Sequence, residues 1–254
     1  MREFIALLKL NLRHRLTDGF AVGYNIIFPA IMIGLLGVLT RNLNHGSISS
    51  YAYYTVVTIP FCIVMAVITA AYAAKDDAYA STAERVLLTP VSIPSLVLVK
   101  IVSCTLVFFL CSIVTYTIFT LILGLGLKHA GGIAALYLSL SFAVSAVGSF
   151  IGFGMKNFMT IKNIINLPIC LFAIAGGVFF PLGTFHRVGK IVLNMSPFTW
   201  INRSLFLMLY DERINSAVIT GIVTILTGLV FTVLAIATFK KGAYCDGCIS
   251  GYEK

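Results

Sequence analysis

The sequence predicts an all-α integral membrane protein of six transmembrane helices with a surface helix at its N-terminus, and three observations carry that reading. Of the 254 residues 59% are apolar and only 11% charged, and the mean hydropathy is +0.99, values outside the range of water-soluble chains of this length. The charges gather in short stretches separated by long uncharged runs. Those runs are each about twenty residues or more, the length a helix needs to cross roughly 30 Å of hydrocarbon.

Residues 1–18 read as an amphipathic helix, with Ile5, Leu8, Leu12 and Leu16 on one face and the basic Arg13 and Arg15 on another. It lies along the membrane surface or extends the first span into the cytosol. No cleavable signal peptide is expected, because Arg2, Lys9, Arg13 and Arg15 interrupt this segment. The expected spans are 19–40, 51–74, 101–127, 130–155, 163–185 and 214–239. Backbone amides in lipid must bond internally, so even the Ile-, Val- and Thr-rich runs should be helical. Residues 75–95 form a cytoplasmic segment in which a short helix ends near Pro90, 186–213 an outer loop, and 240–254 a cytoplasmic tail. The outer loop contains apolar pieces too short to cross, and they read equally as re-entrant or interfacial.

An even number of spans puts both termini on one side. With the termini in the cytoplasm, Arg41, Lys128, Arg187, Lys190, Arg203 and Arg213 fall outside and the other 12 of the 18 Lys and Arg inside, as the positive-inside rule asks. The net charge of +9 is then explained by basic residues facing anionic headgroups, and no nucleic-acid partner is expected. In the fourth span Ser141, Ser145, Gly148 and Gly152 recur at helical spacing. Small residues on one stripe let two helix backbones approach closely, here a neighbour in the same chain in preference to a second subunit. Pro168 interrupts the backbone ladder of the fifth span.

Several chemistries are not expected. None of the nine acids falls within a proposed span, which argues against a proton or sodium relay. There is no GxxxxGK[ST] phosphate loop, so the chain should not bind ATP itself, and the four histidines lack any HExxH or HxxxH spacing that would make a metal or hydrolase site. No catalytic residue is assigned. Four cysteines lie in apolar runs as packing residues, and Cys245 and Cys248 in the tail read as two free thiols in preference to a metal or redox pair.

The segment Ser81-Thr82-Ala83-Glu84-Arg85-Val86-Leu87-Leu88-Thr89-Pro90-Val91-Ser92 resembles a cytoplasmic Gly-Thr-Leu-Glu-Arg-Leu-Leu-Ser-Thr-Pro-Val-Ser element. Gly177-Val178-Phe179-Phe180-Pro181 and Ser196-Pro197-Phe198-Thr199-Trp200 are similar to outer Gly-Val-Phe-Phe-Pro and Asn-Pro-Leu-Thr-Tyr elements. Together with the basic opening helix that leads to Ile27-Phe28-Pro29, they resemble the type-two permeases of bacterial ATP-binding-cassette exporters over nearly the whole chain. Ser81 stands where that family usually has glycine.

The resemblance implies a membrane subunit in the bacterial cytoplasmic membrane that docks on a separate ABC-type ATPase, which carries the ATP and Mg, and pairs with a second permease, identical or homologous. It makes the short cytoplasmic helix a coupling helix, with Thr82, Glu84, Arg85, Leu88, Thr89 and Pro90 as its working residues and Arg13 and Arg15 on the surface helix beside it. It assigns Phe179, Phe180, Pro181 and Pro197 to an outer gate. The apolar spans suit a hydrophobic or amphipathic cargo such as a drug, an antimicrobial peptide or a lipid, ahead of a polysaccharide or glycolipid. The alternative of another class is a membrane immunity or interaction protein that transports nothing.

Overall fold

The computed structural model describes residues 2–41, 49–80, 82–88, 91–124, 129–155, 158–179, 196–211, 214–239 and 244. Every regular element among them is an α-helix: α1 (Arg2–Thr17), α2 (Gly19–Leu39), α3 (Ser50–Met65), α4 (Val67–Tyr79), α5 (Ala83–Leu88), α6 (Ile93–Ile122), α7 (Ala130–Gly154), α8 (Phe158–Ala175), α9 (Pro197–Tyr210) and α10 (Asn215–Ala237). Lipid offers a peptide group no water to bond, so stretches such as Ile222-Val223-Thr224 in α10 stay helical despite their β-branched side chains. Threonines inside the helices return their hydroxyls to the preceding turn, as Thr105 does to Ile101 and Thr232 to Gly228.

Among the described residues five runs are long and apolar enough to cross a membrane: Ala21–Leu39, Ser50–Tyr79, Ile93–Ile122, Ala130–Gly154 and Asn215–Ala237. α8 adds a shorter apolar stretch, Asn163–Ala175. Residues 50–79 form one rod, in which α3 passes into α4 through a tighter turn at Ala66, whose N–H is shared between the carbonyls of Cys62 and Ile63. Several boundaries differ from the hydropathy expectation: α8 runs Phe158–Ala175 in place of 163–185, α6 ends at Ile122 in place of 127, and two helices lengthen. The rod continues to Tyr79 in place of residue 74, and α6 starts at Ile93 in place of 101, with Pro94 in its first turn, where a missing N–H costs nothing. Both extensions draw charged residues into helices.

α7 is the hub, packing against α10, α4 and α6. α2 and α10 sit at the periphery and turn Ile27, Ile31 and Leu35, or Ile222, Leu226, Leu229 and Val233, outward as lipid-facing stripes. α9, expected within an outer loop, is an amphipathic helix that lays Phe198, Ile201, Leu205 and Met208 on the bundle and leaves Trp200 and Tyr210 exposed.

The rod meets α7 through small side chains. A Cβ on Gly148 would stand 2.6 Å from the carbonyl oxygen of Val67 and 2.5 Å from the Cβ of Ala70, and one on Gly152 would stand 2.6 Å from the carbonyl oxygen of Ala71. Ala70, Ala71 and Ala74 complete the α4 side and are fully buried. The two glycines thus face a helix of the same chain, and the tight approach substitutes for a hydrophobic drive that lipid cannot supply. Because backbone atoms are the obstacle, Gly148→Ala should cost about 1–3 kcal/mol through overpacking. Thermal unfolding in detergent should show a lowered midpoint for it, and none for Gly34→Ala, where nothing lies within 4 Å of the added carbon.

Candidate coupling site

At one end of the bundle two consecutive acids of α4 are neutralised by bases from two different helices. Asp76 Oδ2 is ion-paired with Arg15 of α1, and Asp77 Oδ2 with Lys100 Nζ of α6 at 2.8 Å. Arg15 and Lys100 are 4% and 2% exposed, so each base gave up its water for its carboxylate. The Tyr244 hydroxyl, from the C-terminal segment, donates to Asp77 Oδ2 at 2.5 Å, and its ring packs with Phe153 of α7 and with Phe239. Arg15 Nη1 also faces Asp18 Oδ2 at 3.7 Å, while Asp18 Oδ1 accepts the N–H of Ala21 and caps α2. His14 approaches Asp76 at 3.9 Å.

The acid pair is joined directly to α5. Thr82 donates its N–H to the carbonyl of Asp77 at 2.8 Å and its hydroxyl to the same oxygen at 3.3 Å, while its own carbonyl accepts the N–H of Val86 and opens α5. Ala83 is buried in a cluster with Leu96, Val97, Phe153 and Tyr244. At the other end of this short helix Leu88 is 86% exposed. α5 is thus tethered at its start. Glu84 and Arg85 lie on it; Thr89 and Pro90 lie outside the described residues.

The surface-helix pair divides. Arg13 is exposed and Arg15 is turned inward, because residues two apart on a helix point to nearly opposite faces. Contrary to the expectation that no acid lies within a span, Asp76 and Asp77 belong to the rod and not to a loop. In the sequence both resemble loop residues, because an unpaired charge ends a span. The signal available was the pairing, two acids at 76 and 77 against bases at 15 and 100, which no local pattern displays.

The opposite end is built around the C-terminus of α8. Gly177 has a φ of 73°, and the N–H of Gly177 bonds the carbonyl of Ile174 while that of Val178 bonds Ala173, a Schellman closure that requires the glycine. Side chains satisfy carbonyls around this closure: Tyr53 donates to Gly177 at 2.7 Å, Tyr54 to Phe179 at 3.1 Å, Asn202 to Gly176 at 3.1 Å and Ser196 to Phe172 at 2.7 Å. Phe179 sets its ring edge-on to Phe61, and Pro197 is exposed in the first turn of α9. Phe180 and Pro181 lie outside the described residues, as do Cys245 and Cys248.

The family model for the ABC-2 type transporter matches residues 2–210. The chain belongs to this family. It is a multi-pass membrane permease of an ABC transporter, a class of subunit whose partner is an ABC-type ATPase. No curated protein matches the chain. The matched residues contain the whole acid–base cluster except Tyr244.

Removing one partner of a buried pair strands the other. Lys100→Met should therefore destabilise the protein by about 3 kcal/mol, and Lys100→Met combined with Asp77→Asn should recover most of that loss, because a neutral amide needs no counter-charge. Tyr244→Phe should cost less, about 1.5 kcal/mol for one hydrogen bond to a charged group. Thermal unfolding of the four proteins in one detergent would rank them.

Proposed function

We propose that the chain is the membrane half of an exporter that moves a hydrophobic or amphipathic molecule out of a bacterial cell, driven by ATP hydrolysed on a separate subunit. The observation that carries this reading is the joint at Asp76 and Asp77. α5, the segment that the family resemblance assigns to ATPase docking, is tied to the turn of α4 that also holds α1, α6 and Tyr244. A displacement of α5 is therefore delivered to three other elements through charge pairs that resist separation.

On this reading the end carrying α1 and α5 faces the cytoplasm, both termini lie there, and the ATPase rests on the two helices. Glu84 and Arg85 make charge-assisted contacts with it, and Thr89 and Pro90 set the angle at which the chain leaves α5. ATP and Mg²⁺ bind the ATPase and not this chain, which lacks a phosphate loop. A second permease, identical or homologous, completes the path within the lipid, and Phe179, Phe180, Pro181 and Pro197 close its outer end.

Affinity purification of the chain from its native membrane in mild detergent should bring down an ABC-type ATPase with vanadate-sensitive activity; a chain that elutes alone and inert overturns the exporter reading. Glu84→Ala should lower transport-coupled ATP hydrolysis about tenfold, the worth of one charge-assisted hydrogen bond of roughly 1.5 kcal/mol. Membrane insertion should be unaffected, and unchanged transport by this variant would remove Glu84 from the coupling path.

A further inference from the structure

α2 carries a proline in its interior. Pro29 has no N–H to return to the carbonyl of Asn25, one turn back, so that carbonyl needs another donor within a span to which lipid offers none. Asn25 and Pro29 line one small cavity, together with Cys62 of α3 and Phe108, Ser112 and Thr115 of α6. The three helices pack on one another around it, and all six residues are buried. The centre of a water-sized sphere can range over about 10 Å³ there, which is room for a single water and for little else.

The polar groups of this wall have already spent their hydrogens. Ser112 donates its hydroxyl to the carbonyl of Phe109 at 2.8 Å, and Thr115 donates to that of Cys111 at 2.9 Å, so each oxygen keeps only lone pairs to offer. Asn25 gives Nδ2 to the carbonyl of Ala21 at 2.7 Å, which fixes the amide's orientation and leaves Oδ1 as an acceptor. Among the described residues none of these three side-chain oxygens receives a hydrogen bond. The Cys62 thiol adds a weak donor. Such a cavity suits a molecule that brings hydrogens, and water brings two while accepting the thiol's. A bare cation would also meet oxygens, but no carboxylate lines the cavity, and an unpaired charge there carries its full desolvation cost.

We infer that one water is bound between α2, α3 and α6 at the Pro29 break, donating its two hydrogens among the oxygens of Asn25, Ser112 and Thr115. It supplies α2 with the donor that Pro29 lacks, and without the fixed geometry of an N–H built into the chain. α2 therefore bends between Asn25 and Pro29 while its polar groups keep a partner. The turn of α2 before this point begins at the Asp18 cap beside Arg15, so α1 and the start of α2 move on a hydrated hinge while the rest of α2 stays against the rod. The site belongs to the packing of the bundle and holds whatever the cargo is.

X-ray radiolysis of the full chain in phosphatidylcholine nanodiscs tests this, because hydroxyl radicals formed from a bound water oxidise the side chains that touch it even where bulk solvent is excluded. Cys62 and Phe108 are 4% and 3% exposed; Cys104 and Phe198, at 1% and 2%, are as deeply buried and stand outside the cavity. Peptide mass spectrometry should find Cys62 oxidised several times faster than Cys104, and Phe108 several times faster than Phe198. Ser112→Leu, which fills the cavity and removes an acceptor, should bring both rates down to those of the controls. Thr115→Val keeps the shape, removes one hydroxyl and should lower both rates, which serves if the leucine variant fails to fold. Cys62 oxidised no faster than Cys104, or rates indifferent to both substitutions, overturn the bound water. Oxidation that vanishes in sodium buffer and returns in choline buffer assigns the space to an ion and overturns it as well. Pro29→Ala gives the Asn25 carbonyl an N–H of its own, and hydrogen exchange in α2 should slow about tenfold, the worth of one hydrogen bond. Unchanged exchange overturns the hinge.

Discussion

Consecutive positions on a helix point about 100° apart, so Asp76 and Asp77 reach in different directions from one turn of α4. One holds α1 through Arg15, and the other holds α6 and the C-terminal segment through Lys100 and Tyr244. A charge withdrawn from water and left without its partner costs several kcal/mol, so none of these elements can leave the joint independently. α1 depends on this most. It exposes Ile5, Leu10 and Leu16 to its surroundings, and among its described side chains the one deeply buried polar anchor is Arg15.

The rod carries that constraint to the far end of the bundle. Its first turns supply Tyr53 and Tyr54, which hold the carbonyls where α8 stops, and its last turn supplies the acid pair. Between the two, α7 grips it through Gly148 and Gly152 at a separation that leaves no room for another methyl group. A helix packed that closely slides or tilts as a body more readily than it deforms, because interiors at such density respond by rearrangement and not by compression. The rod is thus the element through which an event at α5 could be felt at the turn containing Phe179.

How much of this could be read from the residues follows from which patterns are local. Hydropathy marks the spans because lipid imposes the same requirement on every residue of a run. Gly148 and Gly152 could be found by their spacing, and the short helix before Pro90 by its resemblance to a family element. The partners of the charges could not. Arg15 and Arg13 form one basic group in the sequence, yet helical geometry sends them to opposite faces. In the sequence Asp76, Asp77 and Lys100 resemble loop residues because an unpaired charge would end a span, and the pairing that admits them joins residues far apart in the chain. Tyr244 sits in a polar tail with no periodicity at all, and only the packing of its ring with Phe153 and Phe239 brings it to Asp77.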